Sequence, residues 1–202
     1  KKVYQETRVG KLGMEISYKD GEVEMVIMEQ SKPKDLGVVE KIDLLLDCFN
    51  IEKEDIGIGE KFVYPRIIST GLPDVQLPLK EKKILNSLVV DYERLINFSK
   101  KTGTIGVHAF YLPGRSSEKV YTRNFAPLVG INEEAATGTS NGGLIYLLRK
   151  KGYIDKKEIV AVQGESLKRS SQIYCLADKK NGDYNIKVGG QARIIFEGVM
   201  YL

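Results

Sequence analysis

A chain of 202 residues has room for one large domain or two small ones around a substantial core. Apolar residues make up 42% and charged residues 29%, ordinary globular proportions that argue against wholesale disorder. Lysine and arginine number 31 against 27 acidic residues, but this net charge of +4 is scattered and Trp is absent, so a nucleic-acid partner is disfavoured. The two cysteines, Cys48 and Cys175, lie far apart with no neighbouring His, which excludes a disulfide framework and a zinc site. The longest uncharged stretch, Ala135 to Leu148, is too short and too polar to cross a bilayer. The chain opens on Lys1-Lys2 without a signal-peptide pattern or an initiator Met, so a cytosolic protein, processed or truncated, is expected.

Residues 1–30 read as extended. Alternating apolar residues on either side of Asp20-Gly21 predict a hairpin. Pro33 marks an exit over Ser31 to Asp35. Val39, Ile42, Leu45 and Leu46 then recur at helical spacing within Val38 to Cys48, with Asn50 as a stop. Phe62 to Leu79 is broken by Pro65, Gly71, Pro73 and Pro78 and so predicts short strands joined by tight loops. A helix over Asp91 to Lys101 should end at Gly103. Strands follow over Thr104–Tyr111 and Val120–Phe125, then a helix over Ala135–Lys151. The tail predicts strands near Ile159–Gln163, Gln172–Leu176, Tyr184–Val188 and 192–202, with Asn181-Gly182-Asp183 as a turn. Mostly antiparallel strands broken by a few helices define an α+β fold.

The helix after Ala135 is unusual. Its first two turns contain Gly138, Gly142 and Gly143 beside Thr137, Thr139 and Ser140. Glycine costs about 1 kcal/mol per helical position relative to alanine, so the pattern needs a reason. Small residues allow surrounding strands to approach closely, and they bare the first-turn N–H groups as an anion site for a carboxylate or phosphate. Glu133 and Glu134, at the rim of that site, could supply a general acid or base. In the plainer alternative they complement the helix dipole, with Thr137 as an N-cap.

At these residues the chain resembles the phenazine-biosynthesis isomerase-like (PhzF-like) family of the diaminopimelate-epimerase superfamily. Arg123, Phe125, Pro127, Gly130, Glu133, Glu134, Ala136, Thr137, Gly138 and Thr139 stand in the register of its Arg-x-Phe-x-Pro-x-x-Gly-x-x-Glu-Asp-x-Ala-Thr-Gly-Ser signature. Gln163-Gly164 followed by Arg169-Ser170, the segment Val188-Gly189-Gly190-Gln191-Ala192, and Ser69-Thr70-Gly71-Leu72 are similar to three further family motifs. The resemblance implies two domains, each a diaminopimelate-epimerase-like barrel around a central helix, with the active site between the two helix starts. Residues 31–202 would be the C-terminal domain, and residues 1–30 the closing hairpin of an N-terminal domain otherwise largely missing.

The implied activity is proton transfer on a small carboxylate substrate, an isomerisation or epimerisation that needs no metal or cofactor. Glu134 would be the catalytic acid or base, one methylene longer than the family's Asp. Gly138 and Thr139 would cradle the substrate carboxylate, with Thr137, Glu133, Ser69, Thr70, Gly71 and Arg169 around it. The family's catalytic Glu and Gly-His-Ala-Thr helix have no counterpart, so the chain alone should hold half a site and be inactive without the missing domain. Thr137 stands where the superfamily's thiol-dependent racemases carry Cys, which argues against a two-thiol mechanism.

Other candidates have plainer readings. His108, the only histidine, lies mid-strand and reads as structural or surface-facing. Cys48 and Cys175 read as buried small apolar residues. Arg169 could pair with Glu133, with Glu134 or with a substrate carboxylate, and Asp74 should lie in the loop with Ser69–Gly71. Lys150-Lys151 and Lys179-Lys180 read as solvated charges. The alternative function is a non-catalytic carboxylate-binding protein that oligomerises through surface the missing domain would cover; a homodimer is the expected assembly either way.

Overall fold

The computed structural model describes residues 1–7, 10–191 and 196–200. Three strands open the chain: β1 (Lys2–Thr7), β2 (Gly10–Lys19) and β3 (Glu22–Glu29). Asp20 and Gly21 join β2 to β3 at φ 52° and 86°, the paired positive values that make Asp-Gly a hairpin turn. Next come β4 (Lys34–Val38), α1 (Ile42–Asp47), β5 (Arg66–Ser69), β6 (Pro73–Leu79), α2 (Lys82–Ser87) and α3 (Tyr92–Thr102). The rest is β7 (Gly106–Tyr111), β8 (Lys119–Ala126), β9 (Ile131–Glu134), α4 (Gly138–Lys150), β10 (Glu158–Gln163), β11 (Ser171–Lys180) and β12 (Asp183–Gly190).

All twelve strands form one mixed sheet in the order β1-β2-β3-β12-β11-β10-β8-β7-β6-β5-β4, with β9 added to β8. Most pairs are antiparallel, as expected. Two are parallel: β6 with β7, crossing over through α2 and α3, and β8 with β10, crossing over through α4. The sheet wraps α4, which packs against β5, β6, β10, β11 and β12. It does not close into a full barrel, because among the described residues β1 and β4 remain at the two ends of the path. Strands β1 to β3 form a meander that continues this sheet, with Glu29 opposite Lys187 and Val26 opposite Gly190 across β3 and β12.

Wrapping explains the glycines. Every residue of α4 from Ser140 to Leu148 is buried. A Cβ at Gly142 would lie 3.3 Å from Ile186 and Gln30, and one at Gly143 would lie 3.2 Å from the Gln76 amide and 3.3 Å from Ile68. The sheet therefore approaches the helix as closely as its small residues allow.

Strands β6 to β8 are covered on both faces. Val75, Leu77, Val107, Ala109 and Phe125 face outward onto Leu45, Phe49, Leu95 and Phe98 of the α1–α3 layer. The next residues along the same strands, Asp74, Gln76, His108 and Asn124, are buried on the other side, toward α4. Helix α3 is stopped at both ends as its sequence implies: Asp91 accepts from Arg94 N at 3.0 Å, and Gly103 takes the left-handed conformation at φ 67°.

Three expectations need correction. The helix anticipated from Val38 begins at Ile42, because Val38 pairs with Arg66 at the end of β4. The loop drawn through Glu133 and Glu134 is strand β9, where Glu134 pairs with Asn124. Helix α4 starts at Gly138, three residues later than Ala135. Of the strand expected over 192–202, residues 196–200 take no strand, and the others lie outside the described residues.

Candidate functional site

The start of α4 is a half-exposed floor assembled from three places in the chain. Strand β9 and the turn after it bring Glu134 to the rim. Thr137 occupies the N-cap position at φ −132°, but its hydroxyl caps nothing; it accepts instead from Gln163 Nε2 at 3.0 Å. Among the described residues, no acceptor lies within hydrogen-bond reach of the N–H groups of Gly138, Thr139 and Ser140. These are the orphan donors of a helix start, and they carry the positive end of its dipole. The Glu134 carboxylate folds back to accept from Ala135 N at 2.8 Å.

The Ser69-Thr70-Gly71 turn reaches the same place from the β5–β6 hairpin. Thr70, 2% exposed, donates from Oγ1 to the Thr139 carbonyl at 2.8 Å. Ser69 Oγ accepts from Gly71 N at 3.3 Å. Gly71, at φ 149°, faces Thr139, whose methyl would lie 3.6 Å from a Cβ built there. Glu134, Thr137, Gly138, Thr139, Ser69, Thr70 and Gly71 are thus brought together.

Glu133 and Arg169 are placed elsewhere. Glu133 is held by Arg123 in a two-point pair, Nε to Oε1 at 2.9 Å and Nη2 to Oε2 at 2.8 Å, with a further bond from Ser166. Burial pushes its carboxyl up, but the hydrogen bonds and charge of Arg123 outweigh that and hold it below the usual range. Arg123 also donates to the carbonyls of Leu85 and Leu88, so the pair fastens β9 to α2. Glu133 therefore serves the frame rather than the floor. Arg169 is exposed and, among the described residues, pairs with neither glutamate; Arg123 holds the partnership considered for it.

Beneath the floor lies a buried polar layer that sequence reasoning did not assemble. Asp74, 5% exposed, accepts from Ser140 Oγ, and burial pushes its carboxyl up to about 6 against the hydrogen bonds of Ser140 and Gly106. His108 is fully buried rather than surface-facing, with Nδ1 2.9 Å from the Asn124 amide and Nε2 3.1 Å from Asn141 Oδ1. Burial pushes its imidazole down to about 4, opposed by those two amides, so the ring is neutral near pH 7. Gln163, fully buried on β10, donates to the Glu134 carbonyl at 2.7 Å and accepts from Asn141 Nδ2 at 2.8 Å. The available signal was polar residues at alternate positions of strands otherwise apolar, which marks a polar inner face.

The cysteines are buried as expected, Cys48 pushed up to about 11 and Cys175 to about 12 by burial, which leaves both thiols unreactive. No group of three His, Cys, Asp or Glu residues among those described could hold a metal ion. No described helix is long and apolar enough to cross a membrane.

Comparison with known proteins agrees with this architecture. An isomerase of Clostridium acetobutylicum, itself named as uncharacterized, is 32% identical over 210 residues, covering 100% of this chain and 68% of its own length. The trans-2,3-dihydro-3-hydroxyanthranilate isomerase of Pseudomonas fluorescens is 27% identical over 184 residues, covering 88% of this chain and 59% of that enzyme. Among solved structures, a PhzF-family phenazine biosynthesis protein of Bacillus anthracis superposes with a TM-score of 0.77 at 20% identity, covering 94% of this chain and 64% of that one. The chain thus spans roughly 59% to 68% of the length of these relatives. The family model for phenazine biosynthesis-like proteins matches residues 1–198, and on that match the chain belongs to the PhzC-PhzF family.

Proposed function

We propose that this chain carries the carboxylate-holding half of an isomerase site, in which Glu134 moves a proton on a small carboxylate substrate held by the N–H groups of Gly138 and Thr139. The observation that carries the reading is the placement of one half-exposed carboxylate beside three unpaired helix-start donors. An anion bound to those donors would sit at the end of the short turn that leads from Glu134 to the helix. A carboxylate base can take a proton there and return it to another carbon with no change of oxidation state. Donors already fixed by a buried helix need no reorganisation as charge develops on the substrate. The named activity of the P. fluorescens relative, an isomerase of a dihydro-hydroxyanthranilate, is of this kind.

The test is incubation of the chain with trans-2,3-dihydro-3-hydroxyanthranilate in D2O, followed by mass spectrometry and NMR. Deuterium gained by the carbon skeleton, and lost in Glu134→Gln, supports proton transfer at this site. The chain alone should turn over slowly at most, because an open site leaves its carboxylate in water. No deuterium in either protein, with saturable binding of the substrate, would support the second reading, a carboxylate-binding protein without turnover. That reading, with self-association through a homodimer, draws on the exposed Tyr4, Tyr18 and Val23 of the β1–β3 meander.

A further inference from the structure

Two buried glutamines touch the first turns of α4, and they are treated very differently. Gln76 donates to the Ser140 carbonyl at 3.2 Å, and its Oε1 has no partner. Gln163 uses every hydrogen-bonding position an amide has. It donates to the Glu134 carbonyl at 2.7 Å and to Thr137 Oγ1 at 3.0 Å, and it accepts from Asn141 Nδ2 at 2.8 Å and from Thr122 Oγ1 at 3.5 Å. Both donated bonds land on the short turn between the Glu134 carboxylate and the helix start.

The residue after it presses on the same turn. Gly164 takes φ 84°, and a Cβ there would lie 2.9 Å from the Ala135 carbonyl oxygen and 2.5 Å from that of Arg169. Only glycine lets the chain leave β10 while its backbone rests against Ala135. Amide and glycine together hold the main chain of 134–137 from one side.

The other side is closed by Asn141 and His108. Asn141 directs its amide hydrogens to the Thr137 carbonyl at 2.9 Å and to Gln163 Oε1. Its Oδ1 can then only accept, so His108 must carry its proton on Nε2. A neutral ring of that form bonds Asn124 once the Asn124 amide turns its nitrogen to Nδ1. Asn124 is in turn the sheet partner of Glu134. The chain of contacts from Glu134 through Gln163, Asn141, His108 and Asn124 returns to Glu134.

We propose that Gln163, backed by Asn141 and His108, is the positioning residue of this site: it fixes the 134–137 turn, and through it the direction of the Glu134 carboxylate and of the Gly138 and Thr139 N–H groups. The consequence for chemistry rests on the function proposed above; the mechanical claim does not.

The experiment compares Gln163→Leu with Gln76→Leu in the full chain by NMR. The sole histidine makes His108 a single ring to follow by its nitrogen shifts. In the wild type it should read as one tautomer, protonated on Nε2. Gln163→Leu should spread that tautomer and speed hydrogen exchange at Asn141 N, which donates to the Thr137 carbonyl, by about tenfold or more, while Gln76→Leu leaves both readings in place. Equal loosening in the two variants, or none in Gln163→Leu, overturns the proposal, because a merely structural amide would act alike at either position. Should Gln163→Leu fail to fold, the wild type still decides: the Gln163 side-chain hydrogens should exchange at least about 100-fold more slowly than a free amide, and fast exchange overturns the clamp. Acetate serves as a carboxylate probe and should bind Gln163→Leu about tenfold more weakly than wild type. Equal acetate binding overturns the claimed effect on the donors. No acetate binding to the wild type counts against the functional reading, and the exchange and tautomer results then judge the clamp by themselves.

Discussion

Along α4, the turn from Gly138 to Asn141 is held by directional hydrogen bonds, whereas the stretch from Leu144 to Leu148 is held by hydrocarbon. Ser140 and Asn141 meet Asp74, Gln76, His108 and Gln163. Leu144, Ile145, Leu147 and Leu148 meet a cluster that includes Phe110, Ile159, Ile173 and Ile186. Apolar contact stabilises in proportion to area and tolerates small shifts, while hydrogen bonds add little net energy but fail when a partner moves by an ångström. One half of the helix secures the fold, and the other fixes the orientation of its first turn.

The contrast can be broken first at the apolar end. Leu144 is fully buried, and Leu144→Ala should lower unfolding free energy by about 3 kcal/mol, measured by urea titration. The His108 nitrogen shifts should stay as in the wild type. A large change in that ring would mean the two halves are not separable.

Acid tests the polar end. His108 titrates at about 4 in the folded chain against an ordinary 6.5, so its contribution is present above pH 6.5 and is lost as pH falls toward 4. Asp74 shifts the other way, to about 6 from 3.8, so its contribution is full below pH 4 and is lost as pH rises through 6. Between pH 4 and 6 the two oppose one another. Asp74→Asn removes one side, so stability should then fall more steeply on acidification than in the wild type, by on the order of 2 kcal/mol over that range. Parallel pH curves for the two proteins would refute the opposition.

Smaller effects sharpen the comparison. Asn141→Leu should cost about 1–2 kcal/mol, because it leaves one Gln163 acceptor position and His108 Nε2 unpartnered and takes from the Thr137 carbonyl one of its two donors. Unlike Leu144→Ala, it should change the His108 tautomer. Asp91→Ala removes the cap of α3, in the outer layer, and should cost about 1 kcal/mol in thermal unfolding with no change at His108 or Gly138.

What was readable in the sequence follows the range of the forces involved. The Asp20-Gly21 hairpin, the Asp91-to-Gly103 helix and three of the four expected tail strands are set by neighbours within a few residues and appear where expected. Strands β4 and β9 are short and owe their state to partners, Arg66 to Ser69 for one and Asn124 to Ala126 for the other. The site divides in the same way. The motif around Glu134, Gly138 and Thr139 and the Ser69-Thr70-Gly71 turn could be read locally, whereas Arg123 as partner of Glu133 could not. Gln163 was visible only as part of a motif, because its role depends on Glu134, 29 positions away along the chain, and on Asn141, 22 positions away.

The β3–β12 pairing joins segments far apart in the sequence, Glu29 with Lys187 and Val26 with Gly190. Lys32 and Asp183, ion-paired at 2.8 Å beside that seam, stand 151 positions apart. The β1–β3 meander can dock only after β12, which pairs Gly190 with Val26, has been made. Local pairs such as β11–β12 can close early, but this seam must await closure of the long loop between β3 and β12. During synthesis, or on dilution from denaturant, β3 remains a bare edge able to pair with a neighbouring molecule. Refolding yield should therefore fall with protein concentration, and protection of the β3 amides should be among the last to appear.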